Sequence, residues 1–241
     1  MWGFQKMEKK LKVLNLYAGI GGNRKLWEGD IEVTAVEHNP KIAKVYQHFF
    51  PKDKVVVDDA HKYLLEHYKE FDFIWSSPPC PTHSRMILLC NEQEGKTTPY
   101  PDMQLYQEII FLKHWFKGKW VVENVISYYE PLIKPFKVGN HFYWSNFVIS
   151  NYKEENRMII RMTDDELIKD KCKRYGYEFD NFELTKRIIV KMLNNAVEPK
   201  TGLYIFNCAF KTKQVLLSDL INGGNGIPPT NELVGILPKI L

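Results

Sequence analysis

The stretch "KVLNLYAGIGG" (Lys12–Gly22) decides how the rest of the chain is read. It is an apolar strand that ends in glycine, and its turn, Tyr17–Gly22, lets the backbone approach a ligand closely. Working outward, "NRKLW" (Asn23–Trp27) is expected to open a helix behind that strand. "EVTAVEH" (Glu32–His38) is a second strand, closed by a carboxylate. "NPKIAKVYQHFF" (Asn39–Phe50) starts as helices do, with an N-cap Asn and a first-turn Pro. "KVVVDDA" (Lys54–Ala60) is a third strand ending in acid, "HKYLLEHY" (His61–Tyr68) a short helix, and "FDFIWS" (Phe71–Ser76) a fourth strand. After a polar loop, "MQLYQEIIFLKHWF" (Met103–Phe116) has helical periodicity, and "KWVVENV" (Lys119–Val125) is a fifth strand. This alternation predicts an α/β chain with a doubly wound, mostly parallel, Rossmann-like sheet.

Beyond Pro131 the alternation stops. "HFYWSNFVIS" (His141–Ser150) is aromatic and strand-like. "TDDELIKDKCKRYGYEF" (Thr163–Phe179) reads as a polar helix capped by Thr, and "NAVEPKTGLYIFNCAF" (Asn195–Phe210) as a turn followed by a helix.

A chain of 241 residues with 44% hydrophobic and 26% charged residues suits one large domain, or one domain with a small lobe. No apolar run reaches the length of a membrane span, and "MWGFQKMEKK" (Met1–Lys10) lacks the apolar stretch of a secretory signal. A cytoplasmic protein without a membrane partner is expected. Cys80, Cys90, Cys172 and Cys208 form no CxxC pair, so neither zinc nor a disulfide framework is expected. Residues 1–130 carry 17 Lys/Arg and 17 Asp/Glu, and residues 131–241 carry 16 and 12. The net charge of +4 therefore comes from the second half, a bias compatible with a nucleic-acid partner.

In an open parallel sheet, ligands sit beyond the carboxyl ends of the strands. Four groups fall there. The glycine turn alone is equally a tight βα turn. Glu37, at the end of the second strand, is a candidate for the two hydroxyls of a ribose, and together the two indicate a nucleoside cofactor. Asp58 and Asp59 end the third strand, and one of them can bond an adenine amino group. In "FIWSSPPCPTHS" (Phe73–Ser84), Cys80 follows the fourth strand on a loop stiffened by three prolines. A free cysteine is more often a small buried hydrophobe, but polar and proline neighbours weaken that reading here. His83 and Arg85 lie close in sequence and are candidates to favour its thiolate, against the alternative that both are simple loop residues. Glu123 and Asn124 close the fifth strand, where a carboxyl group can hold a ring nitrogen and an exocyclic amine of a base. A nucleophile beside an acid points to covalent activation of a heterocycle.

These strings together resemble the DNA (cytosine-5) methyltransferases. "LYAGIGG" (Leu16–Gly22) is similar to the family's first motif, usually written with Phe where this chain has Tyr17, and "AVEHNP" (Ala35–Pro40) to its second, with Glu37 as the ribose acid. "VDDA" (Val57–Ala60) resembles the third, with Asp59 the better match for the adenine contact. "PPCPTHS" (Pro78–Ser84) resembles the nucleophile motif, with Pro79, Cys80 and Ser84 matching and Pro81 where Gln is usual. "ENV" (Glu123–Val125) matches the base-holding motif. "NNAVEP" (Asn194–Pro199) resembles the last, whose Asn195, Ala196 and Val197 return to the cofactor pocket, with Asn194 where Gly is usual. The resemblance implies a class I S-adenosylmethionine-dependent fold. It also implies a cofactor site at Tyr17, Ala18, Gly19, Ile20, Gly21, Gly22, Glu37, Asp59, Pro79 and Asn195–Val197, and catalysis by Cys80, Glu123, Asn124 and Ser84. The glutamine-arginine motif of the family has no clean counterpart, the nearest string being "NRMIIR" (Asn156–Arg161) with Arg157 and Arg161. "YYEPLIKP" (Tyr128–Pro135) and "HFYWSNF" (His141–Phe147) are similar to the compact members carried by phages and their hosts.

What the resemblance implies is methylation of cytosine C5 in DNA, on a base flipped out of the duplex. The expected division is a catalytic part at 1–134, a reduced target-recognition region at 135–190, and a segment at 191–241 returning to the catalytic part. The loop Pro81–Pro101 is expected to close over the base, with Lys96, Thr97 and Thr98 near phosphate, against the alternative of plain disorder without DNA. Arg85, Lys153, Arg157, Arg161, Lys169, Lys171, Lys173, Arg174, Lys186 and Arg187 are the remaining candidate nucleic-acid contacts, against the alternative of a solvated face. Rivals are an RNA (tRNA) cytosine methyltransferase and a non-catalytic DNA-binding homologue. An amino-group methyltransferase ranks lower, because Ser77-Pro78-Pro79-Cys80 has a thiol in place of the aromatic and a serine in place of the acid.

Overall fold

The computed structural model describes residues 10–97, 100–150, 152 and 162–210. All of them fall within one compact unit, Met1–Phe210.

Strand β1 is Leu11–Leu16, β2 Ile31–Val36, β3 Lys54–Val56, β4 Phe73–Ser76 and β5 Lys119–Val125. A hairpin of β6 (Phe136–Val138) and β7 (His141–Ser145) completes the sheet, in the order β3-β2-β1-β4-β5-β7-β6. The first five strands are parallel, and β7 runs antiparallel to both β5 and β6. The chain thus winds outward from β1 to β3, then returns to place β4 on the other side of β1. That reversal opens a crevice at the carboxyl ends of β1 and β4.

Alternation along each strand feeds two cores, as expected of a sheet covered on both faces. Val13, Phe73, Trp75 and Val121 pack with Trp27 and with Ile205 and Phe206 of helix α7. Leu14, Leu16, Ile74 and Val122 pack with residues of α2 and α4. The helices are α1 (Pro40–Phe49), α2 (Ala60–His67), α3 (Arg85–Gln93), α4 (Gln104–Trp115), α5 (Asp164–Tyr175), α6 (Lys186–Asn195) and α7 (Pro199–Phe210). Helix α1 has its Asn39 cap, bonded to the N–H groups of Lys41 and Ile42, and α5 has a Thr163/Glu166 capping box.

The structure differs from the sequence reading in several places. "NRKLW" forms turns, not a helix. The segment is too short to propagate one, and its side chains are engaged elsewhere. Asn23 exchanges hydrogen bonds with Asn15, and the Trp27 indole donates to the Gly202 carbonyl while its ring stacks on Phe206. The polar loop after β4 contains α3, started by the Ser84 hydroxyl accepting from the Met86 N–H. Finally, the segment read as a recognition region is continuous with the sheet at β6 and β7. Further along it, Tyr177 and Phe179 pack with Ile20 and Val45 over the glycine turn, and the Tyr177 hydroxyl donates to the Ile20 carbonyl at 2.9 Å.

Candidate active site

A cavity of about 390 Å³ lies at the carboxyl ends of β1, β2, β4 and β5. Its floor is the glycine turn. Gly19 has φ +53°, and a Cβ built there would meet nothing within 4 Å, so this backbone faces open space. Gly22 does the opposite: a Cβ would come within 2.3 Å of the Val197 carbonyl oxygen and 3.0 Å of the Ala196 Cβ. Only a residue without a side chain lets the Ala196-Val197 segment close onto the turn. Lys171 of α5 secures that segment from behind, donating to the Leu193 carbonyl and the Asn194 side chain at 2.9 Å each. Burial lowers the Lys171 pKa to about 8.

Glu37 is buried at the rim. Oε2 accepts the Gly19 N–H at 3.0 Å and Oε1 accepts the Asn39 N–H at 2.9 Å. Oε2 keeps a second lone pair for a ligand hydroxyl, while Oε1 also lies 3.1 Å from Nδ1 of the exposed His38, which a ligand hydroxyl would displace. An open backbone cradle, an anchored carboxylate and an apolar cover from Ile20, Met192 and Val197 fit the nucleoside part of a cofactor.

On the other side of the same cavity lie Pro78, Pro79, Cys80, Pro81, Glu123, Asn124 and His141. Asn124 is buried and donates to the Pro78 carbonyl at 3.0 Å, so the fifth strand holds the loop that carries the thiol. Cys80 is half-buried. Burial pushes its pKa up, and the charge of Glu123 pushes it further. The cations near it in sequence do not reverse this. The His83 ring is buried against the Tyr129 hydroxyl, with its pKa lowered by desolvation, and Arg85 donates to the Ser127 carbonyl. Of the two readings of His83 and Arg85, the geometry fits loop residues and not partners of a thiolate, and burial with the Glu123 charge holds the Cys80 pKa above its ordinary value. His141 Nε2 stands 3.6 Å from Glu123 Oε1. Among the described residues no cluster of His, Cys, Asp and Glu is fit to hold a metal ion, and no helix is long and apolar enough to cross a membrane.

The cavity thus gathers Tyr17, Ala18, Gly19, Ile20, Gly22, Glu37, Pro79, Cys80, Glu123, Asn124, Asn195, Ala196 and Val197. Three predicted residues stand outside its lining. Gly21 faces α1, where a Cβ would strike Phe50 and Tyr46. Asp59 caps α2 through the Lys62 N–H, and Ser84 caps α3. Of the predicted nucleic-acid contacts, Lys96 pairs with Glu94, Arg174 with Asp170, and Lys186 with Asp165. Lys171 is turned inward, as above. Lys173 lines a separate hollow of about 510 Å³ beside His48 and Tyr177. Lys153, Arg157, Arg161 and Thr98 lie outside the described residues.

Sequence reasoning missed His141, Lys191 and Glu108. His141 opens a strand antiparallel to β5, so the first residue of that strand, not its last, reaches the active edge. Lys191 lines the cavity from α6, a helix the pattern did not reveal. Glu108 sits on the buried stripe Leu105, Ile109, Leu112 of α4, and an acid on an apolar stripe was the available signal.

The fold and site define a Rossmann-like class I methyltransferase architecture. A methyltransferase of Entamoeba histolytica, EhMeth, superposes on 86% of this chain and 100% of its own with a TM-score of 0.55 at 13% identity, a likeness of fold. The family described as C-5 cytosine-specific DNA methylase matches residues 11–131, half of the chain, and the protein belongs to it. A mouse tRNA (cytosine(38)-C(5))-methyltransferase is 33% identical over 96 residues, which is 37% of this chain and 23% of the mouse protein. The human protein of the same name is 28% identical over 153 residues, 54% of this chain and 39% of its own. The chain spans well under half the length of these relatives.

Proposed function

We propose that the protein methylates C5 of cytosine in DNA, with S-adenosylmethionine as methyl donor. The observation that carries this reading is the sharing of one cavity by Cys80, Glu123, the glycine turn and Glu37. The bound cofactor would supply an electrophilic methyl group on its sulfonium. Glu37 would hold the ribose hydroxyls, and the glycine turn with Asn195–Val197 would enclose the rest.

Cytosine C5 is a poor nucleophile. In the proposed reaction the Cys80 thiol gives its proton to the Glu123 carboxylate as the sulfur forms a bond to C6, and the displaced π electrons are taken up toward N3. Glu123 passes that proton to N3 and accepts from the amino group. The ring is now an enamine, and C5 would form the bond to the methyl group as the bond from that group to the sulfonium breaks, leaving S-adenosylhomocysteine. Loss of the C5 proton to water, expulsion of the Cys80 sulfur and return of the N3 proton to Glu123 restore the aromatic ring. Asn124 contributes by fixing Pro78, and through it the thiol-bearing loop. A stacked base cannot reach such a cavity, so the cytosine is flipped out at a cost of about a few kcal/mol.

A second reading, transfer to tRNA, is favoured by the names of the mouse and human relatives. Tritiated methyl transfer to duplex DNA and to tRNA, run side by side, separates them. Label in DNA that disappears with Cys80→Ser, while S-adenosylhomocysteine still binds, is the expected result. Label in tRNA alone would replace DNA by RNA as substrate, and turnover retained by Cys80→Ser would remove the covalent step.

A further inference from the structure

Glu108 is fully buried in the middle of α4, yet no step above uses it. Its Oε1 accepts the Tyr17 hydroxyl at 2.6 Å and lies 3.1 Å from His61 Nδ1. Its Oε2 accepts the Ser76 hydroxyl at 2.6 Å. A carboxylate is retained in such a place only where donors surround it.

Two of these donors are the hinges of the site. Tyr17 opens the glycine turn and has φ +53°, the one non-glycine residue with positive φ among those described. A bulky residue holds that conformation only where its surroundings impose it. Ser76 ends β4, directly before Ser77-Pro78-Pro79-Cys80, and two prolines carry any displacement of the strand end stiffly toward the thiol. We propose that Glu108 is a positioning residue: by bonding Tyr17 with one oxygen and Ser76 with the other, it fixes the register between the cofactor turn and the nucleophile loop. The inference rests on the reading of the cavity given above. His61 closes the network toward the surface, and its pKa is raised, chiefly by its bond to Glu108. Reactions between two bound groups depend steeply on their mutual placement, so a device holding the two loops at one spacing acts on rate as well as on binding.

Calorimetry with S-adenosylhomocysteine and single-turnover methyl transfer test this in the full chain. Tyr17→Phe removes one hydroxyl and leaves the ring; it should weaken binding about ten-fold, as expected for losing a bond to a buried charge. Ser76→Ala should leave binding within about two-fold but slow the single turnover about ten-fold. Tyr17→Phe combined with Glu108→Gln should be no worse than Glu108→Gln alone, because both act through one carboxylate. Should Glu108→Gln fail to fold, Tyr17→Phe and Ser76→Ala still carry the test, since a purely structural role lowers melting temperature without splitting binding from rate. Single variants that bind and turn over like the wild type overturn the inference alone. A wild type that binds no S-adenosylhomocysteine overturns the reading of the cavity and this inference with it.

Discussion

Replacing Glu37 by alanine tests the cofactor half of the site. Both of its oxygens are already oriented, by the Gly19 N–H at 3.0 Å and the Asn39 N–H at 2.9 Å, so the lone pairs that remain point along fixed directions. Two ribose hydroxyls would make two hydrogen bonds to a charged acceptor, each contributing about 1.5–3 kcal/mol. Their loss, about 3–6 kcal/mol, corresponds to at least roughly 100-fold in affinity at about 1.4 kcal/mol per factor of ten. The fold should suffer less. The two freed N–H groups sit at a cavity rim where water can reach them, so the cost is about 1–3 kcal/mol, or about 2–12 °C in melting temperature for a domain of this size. Calorimetry with S-adenosylhomocysteine, paired with a circular-dichroism melt, reads both quantities. A folded Glu37→Ala protein whose affinity stays within about three-fold of wild type would refute the ribose assignment.

The closure of the cavity and the state of its thiol give two more tests. Gly22→Ala drives a methyl group against the Val197 carbonyl, which as backbone cannot swing aside. It should cost about 1–3 kcal/mol and weaken cofactor binding, and an unchanged melt would show that the Ala196-Val197 segment does not rest on the turn. Cys80 should react slowly with iodoacetamide at neutral pH and faster as pH rises, because burial and Glu123 hold its pKa above the ordinary value. Removing the negative charge with Glu123→Gln lowers that pKa, so the alkylation profile should move to lower pH, and a profile that stays in place would separate the two groups.

The parallel half of the fold was legible because its signals are local. Asn39-Pro40 announces a helix start, and apolar strands ending in glycine or acid announce βα units. The hairpin of β6 and β7 was less so. Its pairing with β5 joins Val125 to His141 across a stretch of chain with no regular period, and nothing in "HFYWS" alone tells which strand it will meet. Helix α3 was hidden for a related reason: none of its residues is buried, so no apolar stripe marks it against a core. "NRKLW" erred in the other direction. Its composition permits a helix, but Trp27 gains more by stacking on Phe206 from the far end of the chain than a single turn of helix can offer.

At the site, residue types were legible and their electrostatics were not. Cys80 and Glu123 could be paired from their positions at adjacent strand ends, whereas the sign of their interaction depends on burial and on where nearby cations point. His83 and Arg85, three and five residues from Cys80, are both turned away to Tyr129 and Ser127. The charge left facing the thiol is the carboxylate that opposes its ionisation. In the proposed reaction the thiol proton passes through Glu123 to N3 as the sulfur bonds to C6, so no free thiolate has to face the carboxylate before the base is present. In that proposal the sulfur is activated by the same carboxylate that opposes its ionisation at rest, and not by His83 or Arg85.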